Sequence, residues 1–163
     1  MEIWKIASRR HSAGRRKRQG IPIKLKGRTI SRGCAKGEVL LSTDPISFLG
    51  SVDPKTGVVS EENHAIVGKS IKNKVLVFPY GKGSTVGSYV MYQLKKNGSA
   101  PAAIINLETE PIVAVGAIIS EIPLIDMLEK NPYTILKNGD LVLVNGSEGY
   151  IEVIEQEANE IEK

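Results

Sequence analysis

The stretch from Pro79 to Ser88, PYGKGSTVGS, places three glycines, a lysine and three aliphatic hydroxyls within ten residues. Gly81 and Gly83 free the backbone to adopt positive φ and to approach a ligand closely. A helix is predicted to begin at Ser84. Open amide N–H groups and the positive end of the helix dipole would then converge on this point. A carboxylate or a phosphate suits such a place. The Ser84 hydroxyl would also ionise there at lower cost than in water. Equally, its oxygen would serve as the N-cap that satisfies one of those N–H groups. The residues alone leave both roles open.

Spacing argues against two nucleotide readings. A P-loop needs four residues between its first glycine and Gly-Lys-Ser/Thr, which Gly81-Lys82-Gly83-Ser84 does not provide. A dinucleotide fingerprint needs glycine where Val86 stands, and too little chain follows to build a full Rossmann unit.

The flanking elements must hold this loop. KVLVF, ending at Phe78, reads as a short buried strand, and Ser84 to Lys96 as a helix with Val86, Val90, Met91 and Leu94 on one face. Asn97-Gly98 is a helix stop. Upstream, IPIKLKGRTIS alternates apolar and basic residues as an edge strand does, and GEVLLS follows a turn expected around Gly33 to Gly37. Residues 44–73 form a long polar loop with turn signals at Asp44-Pro45, Asp53-Pro54 and Thr56-Gly57. Its length predicts that it lies over a site or against a partner. Downstream come a strand in PAAIINL, a short apolar helix opened by Pro111, a strand in IPLID and a hairpin turning through Asn145 to Gly149. The pattern is α/β, a mixed β/β/α domain.

At 163 residues the chain suits one domain. Its charge is split: residues 1–36 carry 12 Lys and Arg against one acid, Glu2, and the remainder 10 against 17, which gives +4. Basic arms often seek nucleic acid, but no aromatic residues interleave the arginines of Ser8 to Gly20 for base stacking, so a solvated tail or an acidic protein partner is the stronger expectation. The longest apolar run, Ile112 to Ile119, falls well short of the ~18 residues of a membrane span. No secretory leader is expected, and a single cysteine, Cys34, permits neither an internal disulfide nor a multi-cysteine metal site in this chain. A reducing cytoplasm is the expected compartment.

Five ordered stretches carry a resemblance: PISFLGSVDPKTG, HAIVGKSI, KVLVFPYGKGSTVGS, APAAIIN and IVAVGAIISEIPLID. Together they resemble the small subunit, or swivel domain, of the aconitase X family, over roughly Gly27 to Gly149. The resemblance implies a swivelling β/β/α fold over residues 27–154, flanked by a basic arm, 1–26, and an acidic tail, 155–163. It also implies a hydro-lyase whose active site lies between this domain and a large subunit holding a [4Fe-4S] cluster, with no cofactor bound by this chain alone. The implied substrate is a phosphorylated hydroxy acid, (R)-5-phosphomevalonate, dehydrated to trans-anhydromevalonate 5-phosphate. Dehydration of cis-3-hydroxyproline or another hydroxy acid is the alternative, and a non-catalytic swivel module with a nucleic-acid-contacting arm is a further one. In this resemblance Ser84 is the catalytic base, and Lys82, Gly83, Thr85 and Ser88 line the substrate. Lys82 stands where the family commonly has arginine, keeping the charge without the bidentate fork. His64 is expected to fix the long loop, and Ser47 and Asp53 to cap or turn it.

Overall fold

A computed structural model of the chain describes residues 17–18 and 23–157. Most of the basic arm and the last six residues of the acidic tail lie outside the described residues. Among the described residues, nine strands and, besides a kinked turn of helix at Phe48–Ser51, three helices follow in the order β1 (Lys17–Arg18), β2 (Ile23–Lys26), β3 (Arg28–Ser31), β4 (Cys34–Leu41), β5 (Val75–Phe78), α1 (Gly87–Lys96), β6 (Ala103–Asn106), α2 (Pro111–Ile119), β7 (Leu124–Asp126), α3 (Pro132–Ile135), β8 (Leu141–Asn145) and β9 (Tyr150–Glu157). The sheet runs β1-β9-β8-β4-β5-β6-β7-β3, with β2 also on β9. β4 through β7 are parallel neighbours, whereas the hairpin β8–β9 and the outer strands are antiparallel.

The segment expected to be one edge strand is two. β2 pairs with β9, and β3 pairs with β7 at the far end of the sheet, with Gly27 alone between them. The sheet is therefore rolled until its two edges share one bent strand, leaving little open edge for another chain to pair with. Gly27 makes the bend possible: a β-carbon there would lie 2.6 Å from Ile125 Cγ2 and 2.8 Å from the Asp126 carbonyl. β1 and β2 both fall within residues 1–26, and β1 pairs Lys17 with Glu157 and Arg18 with Gln156 on β9, so part of the basic segment faces part of the acidic one within the sheet. The turn expected over Gly33 to Gly37 is likewise confined to Gly33, at φ 122°, because Cys34 already pairs with Asn145 at the start of β4.

Two apolar clusters divide along the parallel strands. Val75, Val77, Ala103, Ile105, Val142, Val144, Ile151 and Val153 fill the inside of the rolled sheet. Leu76, Phe78 and Ile104, on the opposite face, pack under Val90, Met91 and Leu94 of α1 and Val113 and Ala117 of α2. Strands covered on both faces read as continuous apolar runs, which is why KVLVF and AAIIN lack alternation. The helices lie close because Gly116 has the Ser88 α-carbon 3.2 Å from where its own β-carbon would be. Each ends on a left-handed residue, Gly98 or Glu121, with a backward hydrogen bond, Ser99 N–H to the Leu94 carbonyl and Ile122 N–H to that of Ala117. The one-turn α3 was not predicted. Asn131 caps it by accepting from the Tyr133 amide, with Pro132 following.

Candidate active site

The parallel strands end on one rim, and the loops leaving them carry the polar groups. Such carboxyl-end rims are where open parallel sheets bind ligands. The loop after β5 is Pro79 to Val86. Helix α1 begins at Gly87, three residues beyond the Ser84 start that the sequence predicts. Between them runs a tight lead-in in which Gly87, Ser88 and Tyr89 donate to the carbonyls three residues back, Ser84, Thr85 and Val86. Ser84 caps this turn: its Oγ accepts the Val86 amide at 3.1 Å. The capping oxygen is nevertheless on an exposed residue, as are Lys82, Gly83 and Thr85. Among the described residues, no acceptor meets the amides of Gly83, Ser84 and Thr85. The hydroxyl and three consecutive N–H groups thus lie together on the surface of the rim.

Two neighbours pin the loop. On one side, residue 46 bridges residue 81 as in a parallel strand pair, and the Lys82 amide donates to the Ile46 carbonyl at 3.0 Å. Gly83, at φ 94°, sits directly against the Ser47 hydroxyl, which itself donates to the Leu49 carbonyl. On the other side, Gly81 abuts Val113 and the Glu110 carboxylate. That carboxylate caps α2 by accepting from the amides of Ile112 and Val113 at 3.0 and 2.7 Å.

The long polar segment lies over this site, as its length led us to expect. It is locked by the buried His64, whose Nδ1 accepts the Ile66 amide. Its Nε2 therefore carries the proton and donates to the Pro45 carbonyl at 2.9 Å. His64 fixes the loop and holds neither ring nitrogen open. Asp44 accepts from the Ala65 amide and so ties the start of the segment to its middle, whereas Asp53 accepts from the Lys55 amide as a turn residue. Glu61, which no spacing in the sequence singles out, reaches the rim. It accepts from the Ser51 hydroxyl at 2.7 Å and lies 3.7 Å from the Lys82 ammonium. The Ser51 hydrogen bond, then the Lys82 charge, hold its carboxyl below the usual range.

Of the residues expected to meet substrate, Lys82, Gly83, Ser84 and Thr85 are consecutive and exposed. Ser88 is half-buried one turn further on and donates to the Thr85 carbonyl at 3.0 Å. Lys82 faces Glu61. Cys34 is exposed at the opposite, amino-terminal end of β4. Among the described residues, no group of three or more His, Cys, Asp and Glu side chains is placed to hold a metal, and no helix is long and apolar enough to cross a membrane. The rim also carries exposed apolar side chains on each loop: Leu49 after β4, Tyr80 and Val86 after β5, Leu107 after β6 and Met127 after β7.

One further pair completes the rim. Arg28, at the start of β3, holds Asp126, at the end of β7, through Nε at 2.9 Å and Nη2 at 2.7 Å. Asp126 is fully buried and also accepts the Thr109 amide at 2.7 Å. These donors outweigh burial and hold its carboxyl below the usual range.

Comparison with known proteins places this geometry in context. A family model described as the aconitase X swivel domain matches residues 24–153. The chain is 79% identical over 143 residues to the phosphomevalonate dehydratase small subunit of Methanosarcina acetivorans, covering 88% of this chain and 99% of that one. It is 52% identical to the protein of the same name from Archaeoglobus fulgidus, covering 82% and 100%. Among solved structures, it resembles aconitase X of Thermococcus kodakaraensis in its holo form, at a TM-score of 0.76 and 55% identity, covering 80% of this chain and 98% of that one.

Proposed function

The chain belongs to the aconitase X swivel-domain family, and from that premise we propose that it is the small subunit of a phosphomevalonate dehydratase. The reaction is the loss of water from (R)-5-phosphomevalonate to give trans-anhydromevalonate 5-phosphate. In this reading, Ser84 Oγ takes the proton from the carbon next to the substrate carboxylate as the hydroxyl leaves the carbon beyond it. A serine is a poor base unless its oxyanion is held by preorganised donors. The Val86 amide already reaches Oγ, and the amides of Gly83, Ser84 and Thr85 lie beside it. The observation that carries the reading is this exposed hydroxyl, on a loop pinned between Ser47 and Glu110.

The site needs a second protein. The full sequence has one cysteine, and Cys34 lies away from the rim, so a cluster held by several thiolates belongs to the large subunit. Bound there, it would supply the Lewis acid for the departing hydroxyl. The apolar side chains ringing Ser84, between 38% and 54% exposed, suit closure by that subunit. Closure excludes water and strengthens the hydrogen bonds inside.

The test is Ser84→Ala in the two-subunit complex. Assembly is expected to be intact, with turnover reduced by at least roughly three orders of magnitude, as when a positioned catalytic group is lost. Near-normal dehydration by this variant would end the assignment of Ser84 as the base.

A further inference from the structure

Arg28 has more hydrogen-bonding capacity than its partner uses. Asp126 takes the Nε hydrogen and one Nη2 hydrogen, so one edge of the guanidinium is spent. Among the described residues, both Nη1 hydrogens and the second Nη2 hydrogen remain, and one from each nitrogen forms the other edge of the fork. The side chain is 53% exposed while Asp126 is fully buried. The buried carboxylate is held in turn by the Thr109 amide. Such anchoring fixes the free edge in one orientation, the geometry in which arginine binds phosphate through two parallel hydrogen bonds.

The position is as informative as the fork. Thr109 adjoins Glu110, whose carboxylate packs against Gly81, so contacts run without a break from Arg28 through Asp126, Thr109 and Glu110 to the glycine loop. β5 and β7 are separated only by β6, which puts the loops that follow them roughly 10 Å apart at the usual strand spacing. A five-carbon chain with a carboxylate at one end and a phosphate at the other is of comparable length. Lys82, the cation on the glycine loop itself, already faces Glu61.

We propose that Arg28 binds the phosphate of the substrate, while the amides around Ser84 take the end where the proton is lost. This rests on the functional reading above and names its specificity residue. Glu108, close enough to raise the affinity of Arg28 for its proton, is the opposing charge on the same rim.

The test uses the two-subunit complex and two competitive probes, inorganic phosphate and mevalonate, which carries the carboxylate without the phosphate. Arg28→Gln is expected to raise the KM for phosphomevalonate and the inhibition constant of phosphate roughly 10- to 100-fold, the size of a charge-assisted hydrogen-bond pair. The inhibition constant of mevalonate should stay within about threefold. Arg28→Lys, which keeps the charge without the fork, should lie between. Glu108→Gln should tighten phosphate severalfold. A merely structural pair would shift both probes together, and that result, or no shift in phosphate, overturns the proposal. If the wild-type complex does not turn over phosphomevalonate, the functional reading fails. Calorimetric binding of phosphate to wild type and to Arg28→Gln then decides Arg28 by itself.

Discussion

Gly83 and Ser47 interlock: the position a β-carbon would take on Gly83 is already filled by the Ser47 hydroxyl, and Gly83 holds φ at 94°. A side chain at 83 therefore meets a steric and a backbone obstacle at once. Gly83→Ala is expected to cost about 2–3 kcal/mol of stability. It should displace Ser84 enough to lower kcat by roughly 100-fold. Thermal melting of the isolated chain and steady-state turnover of the complex check the two halves. Full activity in a folded Gly83→Ala complex would show that the loop tolerates movement.

Gly98 provides the contrast. It ends α1 at φ 72°, with no atom within 4 Å of where a β-carbon would lie. Gly98→Ala should cost only the left-handed backbone penalty, about 1–2 kcal/mol. Turnover should be unchanged, because the substitution lies at the far end of α1 from Ser84. A loss of kcat comparable with that of Gly83→Ala would mean that helix position, and not the local loop, controls the site.

The divergence between these glycines also marks what the sequence made legible. The β/β/α order, the stop at Asn97-Gly98, the Pro111 helix start and the hairpin at Asn145 to Gly149 are local signals of turn chemistry and periodicity, and each is found where expected. The closure of the sheet through Gly27 is not local. Its cause is crowding by Ile125 and Asp126, about a hundred residues downstream. α1 starts three residues later than the sequence predicts because Ser84 does cap a turn, but one of tighter pitch than an α-helix. Within the site, Ser84 and its neighbours were visible as a glycine-spaced motif. Glu61 and the Arg28–Asp126 pair were not, since each is joined to the rim only by tertiary contact.

The apolar side chains of the rim yield a prediction about assembly. Leu107 and Met127 are exposed on the loops after β6 and β7, and the Leu107 amide donates to the Pro79 carbonyl at the start of the Ser84 loop. Introducing a charge at either, Leu107→Glu or Met127→Glu, should leave the melting temperature of the isolated chain within a few degrees. Affinity for the large subunit should fall at least roughly tenfold, as expected for a charge buried without a partner at an interface. Titration of the two subunits by calorimetry measures this. Unchanged affinity for both variants would place the large subunit on another face.

Asp126 predicts the acid limb of the stability curve. Its carboxyl is held below its ordinary value of 3.8 by Arg28 and Thr109 despite burial, so the folded state binds that proton more weakly than the unfolded state. The resulting stabilisation is fully present above the ordinary value and is lost as pH falls through the lowered folded value. Glu61 acts in the same direction from its ordinary 4.5, held down by Ser51 and Lys82. Asp126→Asn should therefore unfold at lower temperature than wild type at pH 7, with the gap narrowing as pH drops below about 4. Glu61→Gln should show a smaller gap that begins to close nearer 4.5, because its carboxylate is about one-third exposed and well screened. Melting curves from pH 7 to pH 2 at fixed ionic strength check both slopes. A gap for Asp126→Asn that stays constant with pH would mean that the aspartate contributes through packing and not through its charge.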